Sequence, residues 1–138
     1  MENMRKSLLM LALCLFPFFA VSAQEPEEPD VYEVIEKETE RLSGLLDLED
    51  WQVFYVDSTL SYNIPMMQEE IMKLQRARVT NRALYVSIQD KWMEETDRSY
   101  QKFFTETQWQ KYLKSGAERA QRQRDKRKGQ NEKSKNRK

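Results

Sequence analysis

The residues best suited to acid–base chemistry are two pairs of neighbouring carboxylates, Glu69-Glu70 and Glu94-Glu95. A carboxylate pair that cleaves bonds needs one member held protonated by burial while the other stays ionised. Both pairs lie in strongly helical sequence, where solvated helix surface is expected. Serine and threonine have no histidine to activate them, because the chain contains none, so a Ser-His-Asp arrangement is excluded. The sequence has no glycine-rich phosphate loop and no metal-ligand motif. Its acidic stretch before Asp30 lacks the alternating oxygen ligands and turn glycine of a calcium loop. The chain reads as a non-enzyme without cofactor or metal.

Two other constellations could bind rather than react. Aromatic residues recur from Trp51 to Tyr112, and a helical core should absorb most of them. Thin helical hairpins have little interior, however, and Met66, Met67, Met72 and Met93 add the soft surface of adaptable binders. We take Met66, Met67, Ile71, Tyr85 and Trp92 as the candidate partner-binding surface. The second constellation is the basic end, in which Arg124, Arg127 and Lys128 stand out. From Lys114 to Lys138 there are eleven basic and three acidic residues, against two basic and fourteen acidic from Gln24 to Glu70. Net charge is zero, but the two ends are opposite in sign. That polarity favours contact within a molecule or between two copies. The basic end lacks interleaved aromatics for base stacking, so nucleic acid is not expected; anionic lipid or polysaccharide fits better.

These groups must be positioned by few elements. Residues 1–23 read as a signal peptide: Arg5 and Lys6 precede an apolar run from Leu8 to Phe19, and Val21-Ser22-Ala23 offers small residues for cleavage. The apolar run is short of the roughly 20 residues of a membrane span. Leu13 before Cys14 is not the small residue that lipoprotein processing needs. Export is therefore expected, to the periplasm or beyond. Residues 24–29 form an acidic linker interrupted by proline. The remaining length suits one modest domain, here residues 30–124, followed by a disordered basic tail at 125–138. Without cysteine in the exported part, helix packing has to supply the stability.

The expected fold class is all-α, a four-helix elongated domain of two helical hairpins. Asp30 and Glu33 begin a first helix, which Ser43-Gly44 should end. A second helix places Trp51, Phe54, Tyr55, Ser58 and Tyr62 on one stripe, widened by Leu48, Val56 and Leu60. Pro65 should break or bend it. Helical sequence from Met66 to Phe103 has no Gly or Pro, so continuity is expected, interrupted at most by a short turn near Thr80-Asn81. A last helix follows Thr105, with Gly116 as the place for a bend.

Thr105 and Gln108 have capping-box spacing, and Phe104 with Trp109 has the spacing of a hydrophobic staple. The earlier stretch repeats the device: Asp47 as cap, Asp50 at the Gln position, and Leu46 with Trp51 as staple. Leu46, Asp47, Trp51, Phe104, Thr105, Gln108 and Trp109 are therefore assigned to packing at two helix starts. Phe104-Thr105-Glu106-Thr107-Gln108 resembles the LTxxQ signature of the Spy and CpxP type of periplasmic proteins. Two registers are open for a first copy, Leu46 to Asp50 or Leu48 to Gln52. The resemblance covers roughly residues 46–114. It implies a small exported helical protein, commonly dimeric, acting as an ATP-independent chaperone for unfolded envelope proteins or as a stress-response modulator. The partners expected are protein clients or one envelope protein, with a homodimer allowed. The alternative reading is an accessory or structural subunit with a single dedicated partner.

Overall fold

The computed structural model describes residues 30–137, and the expected signal peptide and acidic linker lie outside the described residues. The described residues are all-α, with four helical rods of which the last is kinked. Helix α1 spans Val31–Leu46, α2 Asp50–Arg76 and α3 Arg82–Phe103. The fourth rod consists of α4 (Glu106–Tyr112), a widened π turn (Leu113–Ala117) and α5 (Glu118–Lys135).

Asp30 caps α1 by accepting the Tyr32 N–H at 3.2 Å. The helix does not stop at Ser43-Gly44. It runs to Leu46, because Ile35, Thr39, Leu42 and Leu46 form one buried stripe, and burial of Leu46 outweighs the local preference of Gly44. Asp47 is consequently not the cap of the next helix. It adopts the left-handed conformation (φ 52°) and closes α1, with its N–H bonded to the Ser43 carbonyl. The cap of α2 is Glu49, and Gln52 completes the box by accepting the Glu49 N–H at 3.0 Å.

Moving the cap from Asp47 to Glu49 shifts Trp51 from the fourth helical position to the second. Trp51 therefore does not pack beneath Leu46; it lies on the surface, with its indole N–H donating to Glu49. The other start follows its expected chemistry: the Thr105 hydroxyl accepts the Gln108 N–H at 3.2 Å, and Gln108 accepts the Thr105 N–H at 2.9 Å.

Pro65 neither breaks nor ends α2, which passes through it unbroken. The carbonyl it leaves without a donor belongs to Ser61, and both residues are exposed, so water can serve that oxygen. The helical stretch from Met66 to Phe103 is interrupted by a turn that includes Thr80-Asn81 and begins three residues earlier. Ala77–Asn81 turn the chain back, with Arg78 left-handed (φ 53°) and Asn81 capping α3 through the Ala83 N–H. The Tyr85 hydroxyl pins this turn by donating to the Val79 carbonyl at 2.7 Å. Helices α2 and α3 then run antiparallel: Tyr55 meets Phe103, Asn63 meets Thr96 and Glu70 meets Lys91.

The core is compact and partly aromatic. Ile35, Leu42 and Leu46 of α1 pack with Val56 and Leu60 of α2 and with Tyr100, Phe104 and Tyr112. Tyr100 stacks on Phe104 (5.0 Å) and meets Tyr112 edge-on (5.5 Å). Leu42 has no exposed surface, and truncating such a residue to alanine costs about 2–5 kcal/mol.

Gly116 takes φ 117°, and there the fourth rod bends. The basic end beyond Arg124 is not disordered through Lys135: it is α5, laid antiparallel along α3 by acid–base rungs. Arg124 pairs with Asp97, Arg127 holds Asp90 through two bonds of 2.7 Å, and Lys128 pairs with Glu94. α5 has almost no apolar face, so complementary charge on α3, which no local pattern displays, is what orders it.

Candidate binding surface on the outer face of α2

Helix α2 carries two arcs that compete for the interior. One is aromatic: Trp51, Phe54, Tyr55 and Tyr62. The other holds Gln52, Val56, Leu60 and Asn63. The aromatic stripe was the centre of the expected core; the structure buries its margin, Val56 and Leu60, together with Gln52 and Asn63. Trp51, Phe54, Tyr55 and Tyr62 are 48%, 66%, 51% and 62% exposed, whereas Gln52, Val56, Leu60 and Asn63 are buried.

The reason lies in what faces the two amides. The Gln52 side chain donates to the Phe103 carbonyl (2.9 Å) and to Gln108 (2.7 Å), and Asn63 donates to Thr96 (2.8 Å). A buried amide is tolerated when its hydrogen bonds are made, and these partners exist only on the α3 and α4 side. Once both amides are satisfied there, the aromatic arc has to face outward.

Three of the outward rings connect with one another and with α3, and Tyr62 stands apart against Trp92. Tyr55 meets Trp51 at 6.1 Å, Phe54 at 5.8 Å and Phe103 of α3 at 5.6 Å. Trp51, Tyr55, Phe103 and Phe104 line a shallow groove of about 600 Å³ with Lys102 at its edge. Lys102 is the charged residue that lines it; Asp50 and Asp57, elsewhere on α2, form no ion pair among the described residues. An apolar surface with a polar rim is the usual form of a protein-binding patch.

The residues chosen from sequence as the partner surface do not come together as one site. Met67 and Trp92 line a second groove between α1, α2 and α3, while Met66, Ile71 and Tyr85 are half-buried along the α2–α3 hairpin. Trp92 is buried. Arg124, Arg127 and Lys128 face α3 and are engaged in the rungs described above, so they are not a free cationic tail. Arg124 is buried at 7% exposure with Asp97, whose carboxylate also accepts from the Tyr112 hydroxyl (2.6 Å) and the Gln121 amide (3.1 Å). Among the staple residues, Leu46 and Phe104 are buried in the core, and Trp109 is half-buried against Tyr112 at 5.4 Å.

The carboxylate pairs considered for chemistry occupy ion pairs. Glu69 binds Lys73, Glu70 binds Lys91, Glu94 binds Lys128 and Glu95 binds Arg98. The hydrogen bond from Lys128 holds the Glu94 carboxyl below its ordinary range, the reverse of what a general acid requires. Burial pushes the Tyr100 and Tyr112 hydroxyls upward, with the Asp97 charge adding to the shift at Tyr112. Among the described residues no cluster of His, Cys, Asp and Glu is placed to hold a metal ion, and no helix is long and apolar enough to cross a membrane. Set against family models, curated proteins and solved structures, the chain matches none of them.

Proposed function

We propose that this is an exported envelope protein that binds other proteins without catalysis, as a holdase-like ATP-independent chaperone or a stress-response adaptor. The observation that supports it is the outward aromatic arc of α2, where four large rings stay 48–66% exposed on a helix whose other side is packed. Exposed aromatic surface of this kind offers area for apolar client segments at low entropic cost. The same reading takes the architecture as an elongated pair of hairpins, α1–α2 and α3 with the kinked fourth rod, and allows a homodimer. Its likeness to the Spy and CpxP type rests on the capped start at Phe104–Gln108.

The test is light scattering from a chemically unfolded client diluted with and without the purified protein, in the absence of ATP. Suppression near a stoichiometric ratio is expected. The Phe54→Ser/Tyr62→Ser double variant should lose most of it while keeping its helical spectrum, since both rings are exposed. Undiminished suppression in that variant would remove the aromatic arc from the mechanism. No suppression by the folded parent protein would leave the reading of an accessory subunit with one dedicated partner.

A further inference from the structure

We propose that the outward side of α5 docks the protein on an anionic lipid surface, against the head groups and without insertion. Three bases of α5 are engaged with α3, because Arg124, Arg127 and Lys128 make the rungs. Three others, Arg119, Lys126 and Lys133, are exposed and form no ion pair among the described residues. They recur every seven residues, close to two helical turns, and so make one stripe along the rod. Arg122 falls in the same stripe, tied to Glu118 of its own helix. The rungs hold α5 as a helix, so the stripe is presented already ordered and docking need not order it.

Three observations select the occupant. The first is shape. Two grooves run between α3 and α5, and Arg119, Lys126 and Lys133 line neither. The stripe is open and convex, which suits a plane rather than an enclosed ligand. A bilayer is already flat, whereas a dissolved linear polymer would have to straighten along the rod. The second is composition. Ala120 is the only residue of α5 with an apolar side chain, so the helix has nothing to bury in hydrocarbon and contact stops at the head groups. It also has no aromatic ring on which a base could stack. The third is sign. The unpaired acids of α5 keep off the stripe: Asp125 lines a groove on the α3 flank, and Glu132 follows it two turns on. Glu36, Glu40, Asp50 and Asp57, also without an ion pair, belong to α1 and α2. An anionic plane at α5 therefore meets bases, and each basic residue close to such a surface adds about fivefold to the affinity.

Co-sedimentation of the purified protein with vesicles tests this, using phosphatidylcholine alone or mixed with phosphatidylglycerol. Binding to the mixed vesicles at low salt is expected, with none to phosphatidylcholine alone. It should be lost at about 0.5 M salt, where charges are screened within a few ångströms. Arg119→Gln/Lys126→Gln/Lys133→Gln should keep the helical spectrum, since all three are exposed, and weaken binding at least about tenfold. Arg76→Gln/Arg78→Gln/Lys102→Gln removes the same charge from exposed positions off the fourth rod, and should leave binding within about twofold of the parent. Equal weakening by the two variants would mean that net charge alone drives binding, and would overturn the stripe. Dextran sulfate that binds more tightly than the mixed vesicles at equal charge would make the occupant a linear polymer and overturn the lipid assignment. Binding that resists salt, or no binding by the folded parent, would overturn the proposal outright.

Discussion

Gln52 and Gln108, fifty-six residues apart, hydrogen-bond each other through both amides: Gln52 donates at 2.7 Å and Gln108 donates back at 3.0 Å. Each is also the third helical residue of its own capping box, accepting the N–H of Glu49 or Thr105. One amide pair thus ties the starts of α2 and α4 together, and Gln52 adds the Phe103 carbonyl at the end of α3. Gln52→Ala is expected to cost about 2–3 kcal/mol, because it strands buried groups on three elements. A double-mutant cycle with Gln108→Ala should show coupling of about 0.5–3 kcal/mol by chemical denaturation. Additive losses would mean that the two amides act separately.

The two helix starts make opposite predictions at their first polar residue. Thr105→Ala removes a cap and should lower stability by about 1 kcal/mol. Asp47 holds a left-handed backbone rather than a cap, so Asp47→Gly should be neutral or stabilising. Denaturation midpoints of the two variants separate these roles, and a loss at Asp47→Gly equal to that at Thr105→Ala would contradict them.

Asp97 joins α3 to both limbs of the kinked rod, through Tyr112 on one side and Gln121 and Arg124 on the other. Asp97→Ala leaves the Arg124 guanidinium buried without a counter-charge and should cost about 3–5 kcal/mol. Replacing both, as Asp97→Leu/Arg124→Leu, should destabilise less than the single change, since no lone charge then stays inside. Thermal melts followed by circular dichroism decide between the two. If Asp97→Ala melts like the parent, the buried pair does not hold α5 in place.

Stability should decline on the alkaline side through Tyr100 and Tyr112. Both hydroxyls are raised above the ordinary value by burial, so the folded chain retains protons that the unfolded chain releases. Their contribution is complete below about pH 10 and is lost progressively as pH rises above it. Glu94 has the opposite sign: lowered by Lys128, its contribution is present above the unfolded carboxylate value of about 4.3 and fades as pH falls. The Glu94 carboxylate is only partly buried, so solvent screening keeps its contribution modest. The check is phenolate absorbance recorded with the helical signal. Ionisation of all six tyrosines of the chain before any loss of helix would contradict the buried assignments.

Helix content was legible locally. The scarcity of glycine and proline, the Thr105 cap with Gln108, and Gly116 as the place of a bend all depend on neighbours within one or two turns, and such preferences survive in any context. The turn at Ala77–Asn81 was harder to see, because it uses Arg78 in a conformation that glycine normally supplies. The aromatic patch was visible as a stripe but was assigned to the wrong side. Hydrophobic periodicity identifies a face without saying whether a neighbouring rod covers it.

By itself, the sequence determined the helical character of the described residues, the capped start at Thr105, and the opposite charge of its two ends. Tertiary structure alone decided which arc of α2 is interior, where α2 begins, and whether the basic end is ordered. The physical reason is the same in all three cases. Gln52 needs Gln108, Leu46 needs the core, and Arg124 needs Asp97. These partners lie far away in sequence, and their free energies exceed the local preferences that a linear reading can weigh.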